Sequence, residues 1–382
     1  MEVPFFRPDL GAEEIEYVEK VLKSGWLTTG PTALQFEKNF AAYIGGEVQA
    51  VAVNSATAAL HLGLEALGIG PGDEVIVPTL TFTATAEVIR YLAADPVFVD
   101  VDPVTLNISL ADVERAITGK TRAIIPVHFG GRACDILGLR RLAKRHGIKI
   151  MDDAAHALPS DTPQGRVGNT GFDVTAFSFY ANKTITTGEG GMLVSSNPDI
   201  IARAKTMRLH GINRDVFNRF TDLKASWRYD VVDPGYKYNM TDMAAALGVV
   251  QLTKADSYAL ARRRLAEIYS EGLADLPVIL PHHPEANESH CWHLYVLRLT
   301  DDAPINRDTL ITKLQDSGIG CSVHYIPLHK MTYWSDRYDL KNQNFPIANQ
   351  IFESCISLPL FPTMSKNEQS YVINQLRNFL KV

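Results

Sequence analysis

Apolar and polar positions follow two regimes over roughly the first 250 residues. Short β-branched runs predict strands at 49–53, 74–77, 96–101, 122–127, 149–152, 174–179 and 192–195. Several are apolar throughout, the pattern of strands covered by helices on both faces. Between them, 55–67 carries Leu60, Leu64 and Leu67 at helical spacing, and 137–146 reads similarly. Strands alternating with helices predict an α/β domain around a mostly parallel sheet.

The texture changes near Thr241, which is suited to cap a long helix opening Asp242-Met243-Ala244 and running, with a break, to about Gly272. Beyond it the pattern predicts a strand at 292–299, a helix at 307–315, a strand at 321–325 and a last helix. That helix begins Ser365-Lys366-Asn367-Glu368, a capping box in which two side chains satisfy orphan N–H groups. The reading is a large α/β domain over 1–250 and a smaller α+β domain over 251–382, the N-terminal segment being placed to pack on the smaller one.

Composition narrows the function classes. Of 382 residues, 46% are hydrophobic and 21% charged, enough for a large core without disulfide or metal staples. A net charge of -6, with Arg262-Arg263-Arg264 as the longest basic run, argues against nucleic acid as a partner. Cys134, Cys291, Cys321 and Cys355 are far apart, which fits buried thiols and no metal site. Neither a signal peptide nor an apolar stretch of the ~18 residues that a membrane span requires is visible. The expectation is a cytoplasmic protein with no membrane partner.

Three segments could carry chemistry. Lys183 lies in Ser178-Phe179-Tyr180-Ala181-Asn182-Lys183-Thr184, just past a buried strand and before the turn Thr187-Gly188-Glu189-Gly190-Gly191. Most lysines are solvated, but this one falls at the carboxyl end of a parallel sheet, where α/β proteins gather ligands. A desolvated lysine there becomes a nucleophile toward carbonyls. In Met151-Asp152-Asp153-Ala154-Ala155-His156 a strand-end carboxylate could pair with a ring nitrogen; a turn aspartate beside a core histidine is the plainer alternative. Asn54-Ser55-Ala56-Thr57 reads as a helix start able to cradle phosphate, or as an ordinary cap. Gly68-Ile69-Gly70-Pro71-Gly72 follows a helix and precedes a strand, the reverse of a dinucleotide fingerprint, so a nicotinamide dehydrogenase is disfavoured.

Taken together and in this order, these segments resemble the pyridoxal-phosphate (PLP) aminotransferases of the DegT–StrS type, which aminate nucleotide-linked keto sugars. Ser24-Gly25-Trp26-Leu27-Thr28-Thr29-Gly30-Pro31, Thr79-Leu80-Thr81-Phe82, Gly235-Tyr236-Lys237-Tyr238-Asn239-Met240-Thr241-Asp242 and Leu358-Pro359-Leu360-Phe361-Pro362 extend the resemblance along essentially the whole chain. It implies PLP fold type I, the aspartate aminotransferase-like architecture, with a large seven-stranded sheet. By position, Lys183 resembles the lysine that forms the internal aldimine, and Asp153 the carboxylate that keeps the pyridine nitrogen protonated. His156 and Phe82 match the residues against the two ring faces. Ala56, Thr57 and Ser178 resemble phosphate contacts. Asn239 matches an asparagine that reaches the partner subunit's phosphate, implying a homodimer with shared active sites. L-Glutamate is the implied donor, giving 2-oxoglutarate by ping-pong transfer.

A dehydratase branch of the family has histidine where this chain has Lys183, so the resemblance favours amination. Tyr180 and Asn182 differ from the His and Thr expected at those positions, a departure that bears on the substrate. Ala56-Thr57, Tyr236-Lys237-Tyr238-Asn239 and Cys291-Trp292-His293-Leu294 resemble an aminotransferase of a UDP-linked 4-ketopentose used in lipid A modification. The run from Asn182 to Gly191 is equally similar to GDP-perosamine synthase. The expectation is a 4-aminotransferase of a UDP-linked sugar serving a cell-surface glycan such as lipopolysaccharide, with a GDP-linked 4-keto-6-deoxy sugar as the alternative, a UDP-linked 4-keto-6-deoxy-N-acetylhexosamine as a third possibility and a non-catalytic PLP-binding regulator as the rival class. His324, Tyr325 and His329 are candidates for contacting sugar or donor, against a packed strand end with surface histidines. Arg208 could approach a diphosphate or remain a solvated helix arginine.

Overall fold

The computed structural model describes residues 1–213, 229–285 and 287–381. The large sheet comprises β1 (Gln49–Val53), β2 (Glu74–Pro78), β3 (Asp95–Val99), β4 (Thr121–Ile124), β5 (Lys149–Asp153), β8 (Val174–Ser178) and β9 (Gly191–Ser195), in the order β1-β9-β8-β5-β4-β2-β3. A two-stranded hairpin, β6 (Asp161–Thr162) with β7 (Gly165–Arg166), lies between β5 and β8 in the chain. All neighbours in the large sheet are parallel except β9, which is antiparallel to both β1 and β8. The expected strand at 122–127 stops pairing as a ladder at Ile124, two residues before Pro126, which has no N–H to donate.

Helices cover both faces. Ala56–Ala66, Ala84–Tyr91 and Pro198–Met207 bury Leu60, Leu64, Val88 and Ile201 against Val51, Val75 and Leu193. On the opposite side, Phe36 and Phe40 from the helix Pro31–Ile44 meet Phe177 and Phe179, with ring centroids 5.1–5.5 Å apart and mostly edge-to-face. Each such aromatic pair adds about 0.5–1.5 kcal/mol beyond its buried area. Because side chains alternate across a strand, anchoring Phe177 and Phe179 in this layer sends Ser178 to the other face.

The long helix is one continuous element, Asp242–Leu273, without the expected break. Thr241 caps it, its hydroxyl accepting the Ala244 N–H. Its first half buries Ala245, Leu252 and Tyr258 in the phenylalanine-rich core, and its second half buries Leu265, Tyr269 and Leu273 in a C-terminal core. Serving two cores accounts for its continuity. The C-terminal core is built on an antiparallel sheet, β10 (Val278–Ile279), β11 (Tyr295–Leu299) and β12 (Cys355–Leu358), with the helices Arg307–Asp316 and Lys366–Leu380. The Ser365–Glu368 capping box forms.

Two expected strands are corrected. Residues 292–299 become strand only from Tyr295, because Trp292 takes a left-handed conformation (φ 52°) that breaks the extended run. Residues 321–325 form a single bridge, Ser322 to Ser357, after which His324 and Tyr325 leave for a cavity at the end of the large sheet. Among the described residues no helix is long and apolar enough to cross a membrane. The four cysteines are free, and no group of three metal-ligating side chains is found among the described residues.

Candidate active site

The carboxyl ends of β1, β2, β5 and β8, with the start of β9, converge on one cavity of about 500 Å³. β1 delivers Ser55, Ala56 and Thr57; the segment after β2 delivers Thr81 and Phe82; β5 delivers Asp153 and His156; β8 delivers Ser178 and, through the following turn, Lys183. His324 and Tyr325 close it from the C-terminal part. Of the twelve residues singled out above, nine therefore meet in one space.

At the floor stands Asp153. Its Oδ1 accepts the Ala155 N–H at 3.0 Å and its Oδ2 the Thr85 hydroxyl at 2.8 Å. Thr85 is held in turn by Thr81, Oγ1 to Oγ1 2.9 Å. Burial pushes the Asp153 carboxyl up, opposed by these two hydrogen bonds and by the charge of Lys183. Among the described residues it has no cation in salt-bridge contact, so a cationic ring nitrogen is the partner its surroundings lack. Thr85, one helical turn beyond Thr81, carries no signal in the sequence that distinguishes it from an ordinary helix-start threonine.

Lys183 is placed by the turn after β8, its N–H bonding the Tyr180 carbonyl at 2.9 Å. Burial lowers its amine to about 8, Arg262 lowering it further while Asp153 and Cys291 oppose. The amine is thereby a usable nucleophile and base near neutral pH.

His156 has a defined tautomer. The Gly130 N–H donates to Nδ1 at 3.3 Å, so the ring proton belongs on Nε2, which donates to the Tyr325 phenol at 3.0 Å. Burial, then the charges of Lys183 and His324, hold His156 well below the usual histidine range, and it is neutral. Burial pushes the Tyr325 phenol up. Having accepted from His156, Tyr325 keeps its own O–H to donate into the cavity.

The opposite wall is the start of the helix Ala56–Ala66. Ser55 caps it by accepting the Ala58 N–H at 3.1 Å, leaving the first N–H groups, at Ala56 and Thr57, with no intrahelical acceptor. They and the helix dipole present a seat for an anion. Gly191 makes room for this wall: a Cβ there would lie 2.5 Å from the Ser55 carbonyl group and 2.7 Å from the Ala56 nitrogen. The cavity thus offers an anion seat, a buried carboxylate, a nucleophilic amine, and Ala155, His156 and Phe82 as ring-sized walls. These are the parts needed to hold a planar phosphorylated aldehyde with a basic ring nitrogen, and PLP fits them.

Two expected site residues lie elsewhere, and a third, expected in the partner subunit's site, lies outside this chain's own cavity. Arg208 is buried and donates to Glu37 and to the Ala52 carbonyl (2.9 Å), so it cannot reach a diphosphate in the cavity. His329 is buried and fully satisfied, Nδ1 bonded to Thr79 (2.8 Å) and Nε2 to Asn349 (3.0 Å), its ring stacked on Phe345; it is a joint, not a sugar contact. Asn239 bridges β1 at Val53 and donates to Thr29 at 2.7 Å, outside the cavity lining.

Comparison with known proteins identifies the family and the fold. The model of the DegT/DnrJ/EryC1/StrS aminotransferase family matches residues 8–377. The spore coat polysaccharide biosynthesis protein SpsC of Bacillus subtilis (strain 168) is 43% identical over 381 residues, covering 99% of this chain and 97% of SpsC. The PLP form of Spr1654 from Streptococcus pneumoniae superimposes with a TM-score of 0.92 at 35% identity, covering 99% of this chain and 98% of that one, and Spr1654 is also known in a PMP form. DesV of S. venezuelae, solved with a ketimine intermediate, gives a TM-score of 0.90 at 33% identity, covering 100% and 99%. The chain belongs to the DegT/DnrJ/EryC1/StrS aminotransferase family: it has PLP fold type I and is a PLP-dependent sugar aminotransferase.

Proposed function

We propose that this enzyme moves the amino group of L-glutamate to the 4-keto carbon of a nucleotide-linked sugar, with UDP as the nucleotide, in two half-reactions. The observation that carries the reading is the pairing in one cavity of a lysine amine lowered to about 8 with a buried carboxylate that has no salt-bridge partner among the described residues. Bound PLP supplies an electron-withdrawing ring that delocalises the charge left when a proton departs from the donor carbon.

The chain's own groups have separable tasks. Lys183 would hold the cofactor, and its free amine would take a proton from the donor carbon and return one, as base and acid. Asp153, kept in place by Thr85 and Ala155, holds the proton on the ring nitrogen. Ala56 and Thr57 N–H groups and the Ser178 hydroxyl anchor the phosphate. His156 and Phe82 bound the ring, and Tyr325, with a proton to give, orients an oxygen of sugar or donor; His324 beside it is lowered to about 4 by burial and serves as a neutral contact. The name of SpsC supports a role in building a surface polysaccharide.

The site is also read as shared between two copies of the chain. Phe82 and Tyr180, both lining the cavity, are 58% and 47% exposed, which leaves the mouth open to a second subunit carrying Asn239. The chain is read as two parts that share the long helix, which passes from one core to the other between Tyr258 and Leu265, with Val3 bridging Ile319 as support for the N-terminal segment packing on the C-terminal part.

The test is incubation with PLP, L-glutamate and UDP-, GDP- and dTDP-linked 4-keto sugars, followed by mass spectrometry for gain of nitrogen. Amination of a UDP-linked 4-keto sugar is expected. Preference for the GDP-linked 4-keto-6-deoxy sugar would move the assignment to the alternative, and amination of 3-keto sugars alone would overturn the regiochemistry. Borohydride reduction followed by peptide mapping checks the lysine, with the label expected on Lys183.

A further inference from the structure

His293 was quoted above only within a stretch of resemblance, yet its Nε2 lies 3.5 Å from Lys183 Nζ. The ring is buried and tilted against His156, centroids 4.4 Å apart. Its Nδ1 is enclosed with no hydrogen-bond partner among the described residues. A buried imidazole left half satisfied is costly, so packing alone is a poor reason for it. Its backbone is also held unusually. Arg262, from the long helix, is a buried guanidinium with no carboxylate in salt-bridge contact among the described residues, and it donates to the carbonyls of Trp292 and His293 (both 3.3 Å) and Leu360 (2.8 Å). The long helix therefore pins residue 293 beneath the lysine.

We propose that His293 is a positioning residue for Lys183, an uncharged hydrogen-bond acceptor that holds the amine at the cavity whenever it is not bonded to the cofactor. This rests on the reading of Lys183 as the cofactor lysine. His293 is uncharged because burial, Lys183, His156, Arg262 and His324 all oppose a second proton. The charged and titratable groups facing the lysine are Asp153, Cys291, Arg262, His293, His156 and His324. A carboxylate in place of the imidazole would fix the lysine as an ammonium ion and spoil it as a base, whereas a neutral acceptor orients it and leaves it able to exchange protons.

The experiment measures Lys183 in the cofactor-free protein by competitive acetylation with acetic anhydride across pH, read by mass spectrometry, with exposed Lys205 as internal reference. His293→Gln, which keeps an acceptor near the Nε2 position, should leave the labelling midpoint within a few tenths of a pH unit of wild type. His293→Leu should lower it by roughly half a unit or more, since the ammonium form loses its acceptor, and His293→Glu should raise it by about one unit. With PLP restored, His293→Leu should lose about tenfold in kcat with little change in donor KM, and Gln should recover most of it. A folded Leu variant matching wild type in both midpoint and kcat overturns the proposal. If Leu does not fold, coincident midpoints for Gln and Glu overturn it instead. Labelling of the cofactor-free chain does not depend on where PLP attaches, so a borohydride label found away from Lys183 would sink the functional reading separately.

Discussion

Two cations of this protein receive opposite treatment. Arg208 is closed off: it pairs with Glu37, and the two bracket Ala52 on the edge strand β1, Glu37 accepting the Ala52 N–H at 2.9 Å and Arg208 donating to its carbonyl at 2.9 Å. Glu37 Oε1 and one Arg208 nitrogen thus satisfy both backbone groups of Ala52 at the sheet edge. Lys183 is left open, with a histidine as its nearest partner and a carboxylate across a cavity. The first arrangement spends its charges on holding the fold. The second keeps a charge poorly satisfied, which costs stability and leaves the amine reactive.

The largest effects should separate these two sites. Lys183→Ala should cut transamination by on the order of 10⁴ or more while circular dichroism stays near wild type and the cofactor-free protein melts no lower, since no structural hydrogen bond of the fold is lost. A substituted protein retaining full rate would end the assignment. Arg208→Ala should do the reverse: denaturant unfolding should show about 3–5 kcal/mol less stability, because Glu37 is left buried and unpaired. Turnover per folded molecule should be unchanged. A loss of kcat without a loss of stability would mean that Arg208 serves the site after all.

Sequence reading put Lys183 at the end of the sheet, where the cavity lies, and misjudged the surroundings of Arg208, for a physical reason. Lys183, Asp153 and Ala56-Thr57 lie at strand ends, and strand ends in a parallel sheet must meet whatever their separation in the chain. Arg208 and His329 are polar residues whose partners, Glu37, Thr79 and Asn349, come from distant segments with no pattern linking them. A buried satisfied cation and a ligand-binding one look alike until the partner is seen. The same blindness hid His293, Thr85 and the Gly130–His156–Tyr325 chain. The strands and helices were legible because period and caps are local. Trp292 and the residues after Ser322 were not, since a left-handed turn and a departure toward a cavity are imposed by tertiary contacts.

Asp153→Asn sharpens the contrast at the floor of the cavity. The amide still accepts from Thr85 or Ala155 but has no charge to hold a proton on a ring nitrogen. Turnover should fall by about 10²-fold or more, with KM little altered, the signature of an interaction strengthened in the transition state. Burial already pushes this carboxyl up, so the neutral replacement should leave the cofactor-free protein as stable as wild type or slightly more so. A large stability loss would reclassify Asp153 with Glu37.

The smallest effect discriminates most finely. Lys183→Met in the cofactor-free protein should raise stability by about 1–3 kcal/mol at pH 7, discounted for the water that shares the cavity. The sign follows from linkage. The folded amine sits at about 8 against an ordinary 10.5, so between these values the unfolded chain binds more protons and wild-type stability rises with pH. Below about 8 the penalty of the lysine is fully present; it fades as pH climbs toward 10.5. The advantage of methionine should therefore be greatest at neutral pH and shrink steadily through that window in urea titrations. Arg208→Met should show no such recovery, since a guanidinium keeps its proton throughout. If the methionine variant were no more stable at pH 7, the lysine would be comfortable where it lies, and the distinction between a cation that holds the fold and one held in readiness would fail.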